Sequence, residues 1–171
     1  ASGIIPAGME MMDKALIHAT DDFVKAGYPR NAESMLIVEL DGTEIEVKEL
    51  IERVSEIAKK NKSTSIKISK NEKQRLKFWA GRKAAFPACG DMAPDYYCMD
   101  GTIPRSRLAD VLKEIGRLSK KYNLPVANAF HAGDGNLHPL IMYDANEKNS
   151  LEKTEKFGAD ILKYCVKVGG V

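Results

Sequence analysis

Long apolar runs are missing from this 171-residue chain. No stretch reaches the roughly 18 apolar residues that a bilayer-spanning helix takes, so no membrane span is expected. Cysteine is scarce: Cys89, Cys98 and Cys165 are an odd number and show no CxxC spacing. That excludes a disulfide framework and a structural zinc site, and predicts reduced thiols. Nothing near Cys89 in sequence supplies a base that would make it a nucleophile. Net charge is nearly absent too, since 26 Lys and Arg against 24 Asp and Glu leave +2. No basic block is interleaved with aromatics, so nucleic acid is not an expected partner, and Lys59-Lys60-Asn61-Lys62 reads as a solvated helix end. The opening residues lack the basic-then-apolar order of a signal peptide, which makes a cytoplasmic location the expectation. Internal repeats, low-complexity segments and linkers are not visible. With 44% hydrophobic and 29% charged residues, the chain has the composition of one globular domain with one core.

Apolar residues at Met9, Met12, Leu16, Ala19 and Phe23 predict a helix over 7–26, closed by Gly27 and Pro29. Residues 34–40 are rich in long and β-branched side chains and stop at Asp41-Gly42, which predicts a buried strand. Thr43 can cap a second helix whose stripe is Val47, Leu50, Ile51, Val54, Ile57 and Ala58. Ile66 and Ile68 alternate with Lys67, the pattern of a strand with one wet face over 65–69. Asn71 can cap a third helix running to Phe86, and 96–99 is a short strand. Pro104 and Ser106 open a fourth helix with Leu108, Val111, Leu112, Ile115 and Leu118 on its apolar face. Two strands follow, around residues 126–130 and 140–143, then a last helix over 151–168 closed by Gly169-Gly170. No βαβ unit with a G-x-G-x-x-G turn is present. The expected fold class is therefore α+β: an antiparallel sheet of about five strands with helices on one face.

Two of the three histidines flank a glycine-rich connection, His131-Ala132-Gly133-Asp134-Gly135-Asn136-Leu137-His138. With Gly133 to Asn136 as a four-residue hairpin loop, His131 would stand directly opposite His138 on one face. Cβ atoms about 4.5–5.5 Å apart would let both rings meet one metal ion or one substrate. A slip of one residue would destroy the pairing. Ala127 and Ala129 behind His131, with Leu140 and Met142 beside His138, suggest an apolar shelf open to a flat ligand. Asp134 either shapes the loop by accepting backbone N–H groups or acts as a third metal ligand. Asn136 either touches substrate or cofactor or is a left-handed turn residue.

In the third predicted helix Phe78, Trp79, Arg82 and Phe86 are spaced by three and four, so a guanidinium lies within an aromatic stripe. A cation there needs a partner. A bound carboxylate suits the planar fork of Arg82, and so does an internal Asp or Glu, or stacking on Trp79.

The octapeptide with Pro139-Leu140 is similar to the signature in the C-terminal domain of FAD-linked oxidases of the vanillyl-alcohol oxidase superfamily. Within it, the sequence most resembles the group formed by the flavoprotein subunits of glycolate oxidase and the D-lactate dehydrogenases. Ser2 to Ala7 with Glu10-Met11-Met12-Asp13, residues 36–42, Trp79 to Phe86, and Asp100 with Pro104-Arg105-Ser106 look like that domain in the same order, so the likeness covers essentially the whole chain.

The resemblance implies a ferredoxin-like substrate or cap domain over 1–171, with a FAD-binding domain upstream that carries most of the flavin contacts. It implies oxidation of a 2-hydroxy acid of glycolate or D-lactate type. Arg82 would hold the carboxylate, while His131 and His138, with or without a divalent metal such as zinc, would activate the hydroxyl as hydride leaves for FAD; Asn136 would touch the cofactor. A Glu-His-Gly segment that supplies further groups in the family falls beyond Val171, where this sequence departs from the pattern. The partners it implies are the hydroxy acid, an electron-transfer or iron–sulfur subunit through which the enzyme would lie at the inner membrane, and a homo-oligomer. The alternative reading is a stand-alone metal- or small-molecule-binding module built on the histidine hairpin. Yellow colour on purification of a longer chain separates the two.

Overall fold

The computed structural model describes residues 3–171, so Ala1 and the Ser2 of the family-like opening lie outside the described residues. Six strands form one antiparallel sheet: β1 (Gly8–Asp13), β2 (Ser34–Glu39), β3 (Asp95–Cys98), β4 (Gly101–Thr102), β5 (Val126–His131) and β6 (Asn136–Tyr143). Their order is β2-β1-β5-β6-β3, with the short β4 also pairing with β6. Among the described residues six α-helices accompany them: α1 (Lys14–Val24), α2 (Glu44–Lys60), α3 (Glu72–Lys83), α4 (Ala85–Cys89), α5 (Leu108–Tyr122), which a 3-10 turn over Arg105–Arg107 precedes, and α6 (Ser150–Lys167).

The α+β class and the antiparallel sheet stand as expected, but helices cover both faces. Met11, Phe130, Leu137 and Ile141 point to one side, where Val111, Ile115 and Leu118 of α5 and Phe157, Ile161 and Cys165 of α6 pack on them. Met12, Ala127, Ala129, Leu140 and Met142 point to the other, against Leu16 and Ile17 of α1 and Ala85 and Cys89 of α4. Both faces of a central strand are thus apolar, and a sheet buried on both sides needs helices on both.

Three local expectations are corrected. Residues 8–13 form β1, paired with β2 and with β5, instead of opening a helix. Met9, Met12 and Leu16 fit a helical stripe, yet Met11 and Met12 are buried on opposite faces, as a doubly covered strand requires. The helix starts only at Lys14, where Asp13 caps it by accepting from Leu16 N–H at 3.1 Å. Segment 65–69 is not a strand: it pairs with none of the described strands, and Ile66 and Ile68 stay exposed. The predicted helix over 71–86 is broken at Ala84 into α3 and α4. The caps at Thr43 and Asn71 are present, Thr43 in a reciprocal capping box with Glu46.

Candidate functional site

β5 and β6 are the hairpin that carries the histidines, and its register differs from the expectation by two residues. His131 pairs with Asn136 and Ala129 with His138, so the loop is residues 132–135. A slip of two moves the histidines from directly opposite to diagonal but preserves the face. Their ring centroids are 5.1 Å apart and the rings are almost perpendicular. The loop is set from three sides. Gly133 N–H donates to Met9 carbonyl at 3.2 Å, Ile103 N–H donates to Gly135 carbonyl at 3.1 Å, and Arg105 Nη1 donates to Gly133 carbonyl at 3.2 Å. Gly135 has a φ of +86°, and a Cβ there would lie 2.2 Å from Ile103 carbonyl oxygen, so only glycine fits. Asp134 Oδ1 accepts from Asn136 N–H at 3.0 Å, the loop-shaping role.

The strand paired with β5 contributes a residue that sequence reasoning gave no role. Glu10 of β1 stands opposite His131. Its Oε1 is 2.6 Å from His131 Nδ1, and its Oε2 accepts from Arg82 Nε at 2.9 Å. Arg82 is therefore paired with an internal carboxylate, as one reading allowed, and that carboxylate is the one that holds His131. The Arg82 and Glu10 side chains are each 11% exposed, whereas His131 is 42% exposed. On the far side of the pair His138 Nδ1 lies 2.7 Å from Oδ1 of Asp100, an exposed residue just before β4. The Glu10–His131 pairing has a signal only once β1 is known to be a strand, because the two positions are 121 residues apart.

Arg82 reaches this group because α3 is held down by Tyr28. The Tyr28 hydroxyl donates to Phe78 carbonyl at 2.6 Å and accepts from Gly81 N–H at 2.9 Å. Burial pushes the phenol's pKa up, which keeps it protonated as a donor. A Cβ at position 81 would come within 2.2 Å of the Tyr28 ring, so the glycine next to Arg82 permits the close approach.

Asn136 is the first residue of β6 and not a left-handed turn residue, which removes that alternative. Its side chain shares the histidine face by register, and Oδ1 is buried without a hydrogen-bond partner. A buried acceptor left open fits an O–H or N–H of a bound molecule. The expected apolar shelf is absent: Ala127 and Ala129 are fully buried, because small side chains let α1 and α4 come close and fill the space.

Among the described residues no group of three or more His, Cys, Asp or Glu side chains is arranged to hold a metal ion. Glu10 and Asp100 face the Nδ1 atoms, and Asp134 faces the loop backbone. Two imidazoles remain where a catalytic zinc-type site takes about three protein groups. The metal expected at His131 and His138 is not supported by this geometry. Cys89 is no nucleophile either: its thiol is buried and pushed up to about 11, chiefly by desolvation.

The family model described as FAD linked oxidases, C-terminal domain, matches residues 1–171. The chain belongs to that family. It is 56% identical over 170 residues to the glycolate oxidase subunit GlcD of Escherichia coli K12, covering 99% of this chain and 34% of that protein. The glycolate oxidase subunit GlcD of Bacillus subtilis is 32% identical over 99% of the chain and 36% of the relative. A mitochondrial cytochrome-type D-lactate dehydrogenase of Arabidopsis thaliana is 27% identical over 99% of the chain and 30% of the relative. The chain thus spans about a third of the length of these curated relatives. Among solved structures, a 4-ethylphenol oxidase from Gulosibacter chungangensis in complex with isoeugenol has the same fold, with a TM-score of 0.63 at 12% identity over 95% of this chain and 38% of that one. No described helix is long and apolar enough to cross a membrane.

Proposed function

We infer that the chain is the substrate-side domain of a larger flavoenzyme that oxidises a 2-hydroxy acid of glycolate or D-lactate type to the 2-oxo acid. The observation that carries the reading is the cluster of Arg82, Glu10, His131 and His138 on one face at the end of the sheet, within a chain so similar to glycolate oxidase subunits. Arg82 uses Nε for Glu10, so its two terminal nitrogens are the ones a substrate carboxylate would meet side by side. Glu10, as a carboxylate, can only accept, so Nδ1 of His131 carries the proton; in the neutral ring Nε2 is then the acceptor for the substrate's hydroxyl proton. His138, with its ring against His131, borders the same position, and Asn136 Oδ1 offers a further acceptor to the hydroxyl or the cofactor. FAD, held mainly by a domain outside this chain, would take the hydride from the α-carbon. An electron-transfer partner that reoxidises the flavin accords with this reading.

The test is anaerobic mixing of the full-length protein with glycolate and with D-lactate. The expected result is bleaching of the flavin absorbance by at least one of them at catalytic rate. A flavin left oxidised by every 2-hydroxy acid tried would remove the proposal, whereas a full-length protein that purifies without flavin would favour a binding module.

A further inference from the structure

Glu10 divides its two oxygens between elements far apart in the chain: Arg82 lies 72 positions downstream on α3 and His131 121 positions downstream on β5. A core ion pair has no need of a half-exposed imidazole, yet here the ring is locked at Nδ1 while 42% of the His131 side chain remains open. Building on the hydroxy-acid reading, we propose that Glu10 is a positioning residue for that reaction, fixing the carboxylate grip of Arg82 and the accepting imidazole of His131 relative to each other. In a 2-hydroxy acid the carboxylate and hydroxyl sit on adjacent carbons, so the two protein groups must keep one separation, and a single carboxylate bridging them sets it.

Glu10→Gln tests this because it keeps the shape and changes only the hydrogen-bond inventory. Arg82 Nε–H is a donor in every state, and His131 Nδ1–H is a donor in the working tautomer. A glutamine side chain has one oxygen to accept and one NH2 that must face the other partner. With the amide NH2 toward His131, Nδ1 must accept and the ring proton moves to Nε2, where the substrate hydroxyl needs an acceptor.

In the full-length flavoenzyme, Glu10→Gln should lower kcat roughly ten- to hundred-fold with a smaller change in KM, flavin content staying normal. Introduced into a His131→Ala background, the same change should lower kcat by a clearly smaller factor, because the part of its effect that passes through the imidazole is already gone and only the part through Arg82 remains. A wild-type kcat in Glu10→Gln, or the same fractional loss with and without His131, overturns the proposal. If Glu10→Gln fails to fold, Glu10→Asp keeps the charge, is too short for both partners and is judged by the same pair of backgrounds. If the wild-type enzyme oxidises no 2-hydroxy acid, it is the functional reading that fails. Glu10 is then judged by the crystal structure of flavin-loaded Glu10→Gln, where displaced His131 and Arg82 side chains support positioning and undisplaced ones overturn it.

Discussion

The two faces of the β5–β6 hairpin are built from alternate residues of the same strands and serve opposite ends. On one face Phe130, Leu137 and Ile141 meet α5 and α6 in a closed apolar core. On the other, Ala127, Ala129 and Leu140 are buried under α1 and α4, but the next positions toward the loop are His131 and His138, which join Glu10 and Arg82. The difference is one of side-chain size and of position along the strand. Phe130, Leu137 and Ile141 fill the first face and Ala132 ends it, whereas on the second Ala127 and Ala129 let helices come close and the last positions go to polar groups.

Breaking the closed face should have the largest effect on stability and the least on chemistry. Phe157 is fully buried, stacked on Tyr122 at a centroid distance of 5.3 Å. Phe157→Ala should cost about 3–5 kcal/mol in denaturant unfolding. Turnover per bound flavin in the fraction that stays folded should be unchanged, and a fall in it would show that the two faces are not separable.

Arg82→Lys probes the other face. Lysine keeps a charge but cannot give Nε–H to Glu10 and two parallel N–H groups to a substrate, so kcat/KM for 2-hydroxy acids should fall roughly ten- to hundred-fold, about 1.5–3 kcal/mol, with normal flavin content. Unchanged kcat/KM for every hydroxy acid would reduce Arg82 to a structural partner of Glu10.

Ala129→Leu should touch both properties at once, because Ala129 pairs in register with His138 while packing in the core beneath α1 and α4. Overpacking should cost about 1–3 kcal/mol in unfolding experiments, and kcat should drop with it. Loss of stability with kcat intact would mean that the site tolerates movement of the face that carries it.

The smallest effect belongs to the outer clasp of the closed face. Hydrogen bonds from Lys121 and then Tyr122 hold the Asp160 carboxyl below the usual carboxylate range. A lowered native pKa stabilises the fold above the unfolded value of about 3.9 and ceases to as pH falls through the native one. Asp160→Asn should therefore be slightly less stable than wild type at neutral pH, and the difference should vanish in acid; a difference that persists once the carboxyl is protonated in both states would assign it to packing.

Much of this was legible along the chain, and for a definite reason. Thr43 and Asn71 cap helices through contacts three residues away, Asp134 shapes its own loop, and the alternation of β5 and β6 puts His131 and His138 on one face in any even register. Such features are settled by neighbours in sequence or by a period of two. What only the tertiary structure decided depends on partners that the chain does not place nearby. Met9, Met12 and Leu16 suit helix or strand until β2 and β5 flank residues 8–13 and make them β1. Ile66 and Ile68 alternate as a strand would, but no described strand pairs with them. The glycines around Asp134 permit more than one position for a four-residue loop, and contacts from Met9, Ile103 and Arg105 select the one observed. Glu10 became part of the site only when β1 came beside β5 and Tyr28 drew α3 over them, since a carboxylate has no role until folding brings it to a donor.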